Sequence, residues 1–169
     1  MAPRSADRRL ALFPASFDPI TNGHLDLIRR SQSIFDETVL GVARNVAKNA
    51  TFDTEERLEL LHAVVDGMDN VSVQVFDGLV VHHAEQIGAT AILRGLRAIA
   101  DFEYEFEMAL MNKHLAPNVE IVFFMTSQEY LYVSSSRLKE LVRFGASVDE
   151  FVPPVVAEAL KRKLGQPGA

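Results

Sequence analysis

The chain of 169 residues has no cysteine and no tryptophan. Disulfides, thiolate nucleophiles and cysteine-bound metals are therefore excluded, and a reducing compartment fits. Nothing in it approaches the roughly 20 consecutive apolar residues that a membrane span requires, so no membrane association is expected. The basic residues Arg4, Arg8 and Arg9 are followed only by Leu10–Phe13 before Pro14. That apolar stretch is too short for the hydrophobic region of a signal peptide, which makes a cytoplasmic protein the expectation. An excess of positive charge is also missing: 17 Lys and Arg face 23 Asp and Glu, for a net charge of −6. This argues against a nucleic-acid surface, which gathers Lys and Arg on one face. The cations Arg44, Lys48, Arg94, Arg97 and Arg137 are instead scattered among neutral or acidic neighbours, as suits a small anionic ligand held at one focused site.

What is present is the composition of a soluble globular protein, 48% hydrophobic and 24% charged. The length suits a single domain. We expect it over residues 9–164, between a loose extension (1–8) and a loose tail (165–169). Strand-length apolar runs at Leu10–Phe13, Val39–Ala43, Val71–Phe76, Ala91–Leu93 and Val119–Met125 alternate with helical patterns. The helices are expected over Asn22–Phe35, Thr54–Asp66, Val80–Ile87, Ala100–Leu115, Ser136–Arg143 and Pro154–Leu164. Asp53 with Glu56 has capping-box spacing, and Ser134-Ser135-Ser136 offers helix N-caps. The alternation predicts an α/β fold of the doubly wound, Rossmann-like kind: five parallel strands with helices on both faces. In such sheets ligands sit beyond the carboxyl ends of the strands, so the segments following them carry the functional weight.

After the first strand comes Ser16-Phe17-Asp18-Pro19-Ile20-Thr21-Asn22-Gly23-His24, a polar loop opening a helix. It sets a histidine and free backbone N–H groups at a helix N-terminus, where anions are favoured and imidazolium is disfavoured. After the second strand Lys48 lies in a stretch with no apolar anchor. After the fourth, Arg94-Gly95-Leu96-Arg97 presents two guanidinium forks suited to bidentate phosphate contact. The next helix carries Asp101, Glu105, Met108 and Asn112 on one stripe, beside an apolar stripe of Phe102, Phe106 and Ala109 or Leu110. We expect the Phe stripe to be core and Asp101 to be solvated, with Glu105 and Asn112 turned to the crevice. The serine run Ser134–Ser136 opens a further helix and can cradle phosphates while capping it. His82 and His83 are adjacent and share no helix face, so they read as helix residues and not as metal ligands.

Taken together, Ser16–His24, Arg94-Gly-Leu-Arg97 with the acidic run to Glu105, Met111-Asn112-Lys113-His114 and Ser134–Ser136 closely resemble bacterial phosphopantetheine adenylyltransferases over about residues 9 to 164. The Thr21-Asn22-Gly23-His24 element alone implies only the wider nucleotidyltransferase superfamily. The resemblance implies adenylyl transfer from ATP to 4′-phosphopantetheine, with Mg²⁺ as cofactor, giving dephospho-CoA and pyrophosphate in coenzyme A biosynthesis. It implies catalytic roles for His24, Ser16, Lys48 and Arg97. Phosphopantetheine would meet Ser16, Lys48, Leu79, Val80, Arg94, Met111 and Asn112. ATP would meet Ser16, Phe17, His24, Gly95, Leu96, Arg97, Glu105 and the run Tyr130, Leu131, Tyr132, Val133, Ser134, Ser135 and Ser136. It further implies a homohexamer and inhibition by CoA. The chain departs from the family pattern in having Phe13-Pro14-Ala15-Ser16 for the usual Tyr-Pro-Gly-Thr; Ser16 keeps the hydroxyl. Transfer from CTP to a sugar or polyol phosphate, and a nucleotide-sensing module without turnover, are the competing readings.

Overall fold

A computed structural model describes residues 8–44, 50–97 and 99–165. Lys48, the outer part of the N-terminal extension and the last four residues lie outside the described residues. Five strands, β1 (Leu10–Ala15), β2 (Glu37–Ala43), β3 (Val71–Phe76), β4 (Ala91–Leu96) and β5 (Glu120–Met125), form one sheet in the order β3-β2-β1-β4-β5. Every neighbouring pair is parallel. The helices are α1 (Asn22–Ser31), α2 (Thr54–Val65), α3 (Val80–Gln86), α4 (Ile99–Leu115), α5 (Ser135–Arg143) and α6 (Pro154–Leu164), with a single 3₁₀ turn at Gln128–Tyr130.

Strand alternation sorts the core into two layers. On β1, Ala11 and Phe13 join one apolar cluster with residues of α1, α2, α5 and α6, among them Ile28, Leu61, Leu138 and Leu160. Leu10 and Leu12 join another with Val81 and Ala84 of α3 and Ala116 just beyond α4. The sheet is thus covered on both sides, as expected for a doubly wound fold.

Two strand ends differ from the sequence expectation in a way that makes the site. β1 runs on through Pro14 and Ala15, and β4 runs on through Arg94, Gly95 and Leu96, where loops were expected. Proline and a charged residue read as strand terminators locally, but the neighbouring strands hold them: Pro14 and Ala15 pair in register with Gly41 and Val42, and Arg94 to Leu96 with Phe123 to Met125. Between themselves β1 and β4 pair only at Ala11–Ala91 and Leu12–Ile92. Beyond that they part. This is the position where the strand order reverses, so the sheet itself opens the crevice.

Helix α4 corrects a second expectation. Phe102, Phe106 and Leu110 are 45%, 48% and 58% exposed. They form no part of the core: α4 packs against β4 and the edge strand β5 and leaves this flank open. Phe102 stacks on Phe106 with ring centroids 5.7 Å apart and meets Phe123 of the edge strand edge-on.

Candidate active site

The crevice beyond β1 and β4 is a cleft of about 940 Å³. Its floor is the end of β1 and the loop after it. Phe17 turns that loop with a φ of +46°, a left-handed conformation that a bulky residue adopts only when packing enforces it. The packing is there: Phe17 is buried, edge-on to the rings of Phe13 and His24 at 5.7 and 5.3 Å. Ala15 carries no such strain, since Phe17 is the only non-glycine with positive φ among the described residues. The alanine is therefore compatible with the strand geometry that the loop leaves from.

His24 stands at the third position of α1 and closes an unusual capping box with Thr21. The Thr21 hydroxyl accepts from the His24 N–H at 3.3 Å, and the Thr21 N–H donates to His24 Nδ1 at 3.1 Å. With Nδ1 accepting from a main-chain amide, the ring proton belongs on Nε2. Burial, and secondarily the charge of Arg97, push the His24 pKa down to about 4. The histidine that lines the cleft is thus a neutral Nε2–H donor at physiological pH. Gly23 lets α1 come close to the opposite wall: a Cβ there would lie 3.2 Å from Cβ of Tyr130.

The second wall comes from β4 and α4. Arg94 donates through Nε to Glu105 Oε2 at 2.7 Å, pairs its Nη2 with Glu105 Oε1, and donates through Nη1 to the Pro14 carbonyl at 3.2 Å. It therefore bridges the gap where β1 and β4 part. Gly95 beside it has no room for a side chain, since a Cβ would fall 2.5 Å from Leu27 Cδ1 of α1. Arg97 donates to Asp101 at 3.1 Å, one helical turn into α4. Asp101, expected to be solvated, lines the cleft, because the whole stripe it shares with Glu105 faces the ligand side.

The third wall is the run from Tyr130 to Arg137, all of which borders the cleft. Ser134 caps α5 by accepting from the Arg137 N–H at 3.3 Å, and Ser135 donates to the Pro19 carbonyl at 2.8 Å. The first N–H groups of α5 open beside those of α1, so two helix N-termini serve one cleft.

A smaller cavity of about 260 Å³ adjoins the cleft and shares Val80, Arg94, Tyr104 and Glu105 with it. Leu79 and Asn112 line this cavity, together with Met108 and the exposed Tyr104. Met111 lines neither cavity and is 58% exposed. Arg44 lies outside both as well and pairs with Asp77 at 3.4 Å. Phe17 and Leu96, expected to meet ATP, line neither cavity, because both are buried in the core. His83 sits in α3, stacked on Phe76 at 4.8 Å.

Comparison with known proteins gives the family of the chain. The model of the cytidylyltransferase-like family matches residues 12–141. A phosphopantetheine adenylyltransferase of Caldanaerobacter subterraneus is 50% identical over 92% of this chain and 98% of its own length. One of Desulforudis audaxviator is 48% identical over 95% and 98%. The chain belongs to the phosphopantetheine adenylyltransferase family. A crystal structure from Vibrio parahaemolyticus, bearing the name nicotinate-nucleotide adenylyltransferase, aligns with a TM-score of 0.66 over 90% of this chain and 98% of its own, at 19% identity. That likeness concerns the fold alone.

For a member of this family, several residues of the site are not legible as such from motif spacing. Thr21 falls three positions before His24, the spacing of a capping box, but a histidine in the glutamate position disguises it. Tyr104 is exposed and gives no sign in the sequence of bordering both cavities. Met108 does give one, through its place in the stripe Asp101, Glu105, Met108 and Asn112, which the structure turns as a unit toward the two cavities.

Proposed function

We propose that this chain transfers the adenylyl group of ATP to the phosphate of 4′-phosphopantetheine, releasing dephospho-CoA and pyrophosphate in coenzyme A biosynthesis. The observation that carries this reading is the joining of a donor-lined cleft to a narrower cavity through one ion pair, Arg94–Glu105. The cleft suits a nucleoside triphosphate: two helix N-termini, Arg97, Arg137 and a neutral histidine donor surround it. The adjoining cavity, lined by Leu79, Val80, Ile92, Met108, Ala109 and Asn112, suits a thin arm of alternating hydrocarbon and amide groups ending in a phosphate at Arg94.

The attacking phosphate is already anionic at neutral pH, so the reaction requires no general base and no covalent intermediate. The protein's work is alignment and charge stabilisation. Holding two anions in line contributes roughly 7–11 kcal/mol toward the barrier. Donors aimed at the pentacoordinate phosphorus add the rest, each worth about 3–4 kcal/mol by analogy with oxyanion sites. His24 supplies such a donor from Nε2, Ser16 from its hydroxyl and Arg97 from its guanidinium, and Lys48 extends the set. A protonated His24 would carry charge, but its burial opposes this in the free protein.

Mg²⁺ fits as an ion carried in on the triphosphate. The cleft's carboxylates, Asp101 and Glu105, each accept from an arginine, and no cluster of three or more metal-binding side chains exists among the described residues. That donor set suits a cation held mainly by phosphate oxygens, which screens their charge when bound. CoA shares the pantetheine arm of the product and would inhibit by occupying the same cavity. A homohexamer accounts for the exposed aromatic flank of α4, which a neighbouring subunit would cover. No helix among the described residues is long and apolar enough to cross a membrane, and a chain without cysteine is compatible with the reducing cytoplasm proposed for it.

The test offers ATP or CTP with phosphopantetheine, sugar phosphates and polyol phosphates, and measures pyrophosphate. Turnover is expected with ATP and phosphopantetheine only. Robust CTP turnover without phosphopantetheine would overturn the assignment. Binding of nucleotide with no turnover on any acceptor would leave a sensing module.

A further inference from the structure

Behind the floor of the cleft, outside its lining, a buried carboxylate joins three segments of the site. Asp18 is 6% exposed. Its Oδ1 accepts from the Phe52 N–H at 2.8 Å, and its Oδ2 accepts from the Thr51 N–H at 3.0 Å and from the Lys139 ammonium at 2.5 Å. Neither Asp18 nor Lys139 lines either cavity.

The carboxylate and its donors come from three different places. Asp18 follows Ser16 by two residues in the loop after β1, Thr51 follows Lys48 by three, and Lys139 lies one turn along α5 from Ser135 and Ser136. One carboxylate therefore meets the loop that bears Ser16, the segment that follows Lys48, and the helix whose N-terminus faces the cleft. Each junction is stitched a second time. Arg57, a buried arginine of α2, donates to the Ser16 carbonyl at 2.9 Å, and the Ser135 hydroxyl donates to the Pro19 carbonyl at 2.8 Å.

A buried carboxylate with three donors is satisfied in one arrangement only, and a donor that drifts leaves an unpaired charge in a poor solvent. The relative placement of the three segments is therefore discrete. Stability alone does not call for this, since buried ion pairs are readily replaced by apolar contacts of the same shape. We propose that Asp18, with Lys139 as its counter-ion, is a positioning residue for adenylyl transfer: it sets the register among the Ser16 loop, the Thr51-Phe52 segment and the serine end of α5. It touches no substrate and acts through the groups that do. This rests on the reaction proposed above.

The test compares Lys139→Gln, Lys139→Arg and Asp18→Glu with the unaltered protein in the pyrophosphate assay, with thermal midpoints measured alongside. Misalignment by about an ångström costs on the order of a hundredfold in rate, so Lys139→Gln should lower kcat by about that factor. Because alignment is used at the transition state, KM for ATP should stay within about threefold. Lys139→Arg and Asp18→Glu keep both charges but move the contact, and each should lower kcat about tenfold. These two also decide the matter if Lys139→Gln fails to fold. A lowered midpoint with kcat per folded molecule unchanged is the signature of a merely structural pair and would overturn the proposal. An unaltered protein that forms no pyrophosphate from ATP and phosphopantetheine overturns the reaction and this inference together, whereas active protein with unaffected variants overturns the inference alone.

Discussion

The loop after β1 and helix α4 both line the cleft, yet they are held in opposite ways. The loop is fixed from within the chain: Phe17 is wedged between two rings, Thr21 and His24 bond each other, and Asp18 and Ser16 are tied to α2 and α5. Helix α4 contributes Asp101 and Glu105 on its inner side, but on its outer side it leaves Phe102, Phe106 and Leu110 to solvent. The lesson is that reactive geometry requires satisfied polar groups close to the chemistry, while an apolar flank is cheap to leave for another surface to cover.

The comparison is broken hardest at its first half by removing the donor. His24→Ala is expected to lower turnover by at least about a hundredfold with the fold intact, as seen by circular dichroism and the pyrophosphate assay. Unchanged turnover would take His24 out of the mechanism. At the other half, Phe102→Glu with Phe106→Glu should abolish assembly and leave a folded monomer in light scattering. If the pair lowers the thermal midpoint of a protein that was monomeric from the start, α4 has no partner of its own kind.

A pH experiment sharpens the first half again. The folded pKa of His24, about 4, lies below the ordinary value of 6.5. In that interval the unfolded chain binds a proton that the folded chain does not, so stability falls as pH drops from about 6.5 to about 4 and is present in full above it. His24→Ala should flatten the stability curve across this window by about 3 kcal/mol in urea titrations. A curve as steep as that of the unaltered protein would place the titrating group elsewhere.

The smallest expected effect separates cap from catalyst. Thr21→Ala removes the hydroxyl that caps α1 and should cost about 1 kcal/mol of stability. It leaves the main-chain N–H that holds His24 Nδ1. Turnover should therefore change only a few-fold, and a loss as large as that of His24→Ala would mean that the hydroxyl itself fixes the ring.

Much of this was legible beforehand, and the reasons are local. The five apolar runs are strands because they are short, buried and bounded by helical patterns, and Asp53 with Glu56 does form a capping box. Ser16, His24, Arg94, Arg97 and the serine run fall at strand ends and helix starts, and the fold brings those to one crevice. Where expectation failed, a neighbour decided. Pro14 and Arg94 are in strands because β2 and β5 hold them there. Met111 points away from both cavities although Asn112, the next residue, lines one, because successive helix positions are about 100° apart.

The fold class, the order of elements and the family were readable from the sequence alone, because periodicity, capping spacing and motif are written over a few adjacent residues. Only the tertiary structure decided the tautomer of His24, the pairing of Arg94 with Glu105, the meeting of three segments at Asp18 and the exposure of α4. Each of these depends on how close, and at what angle, elements come to rest against one another. No run of neighbouring residues carries that distance.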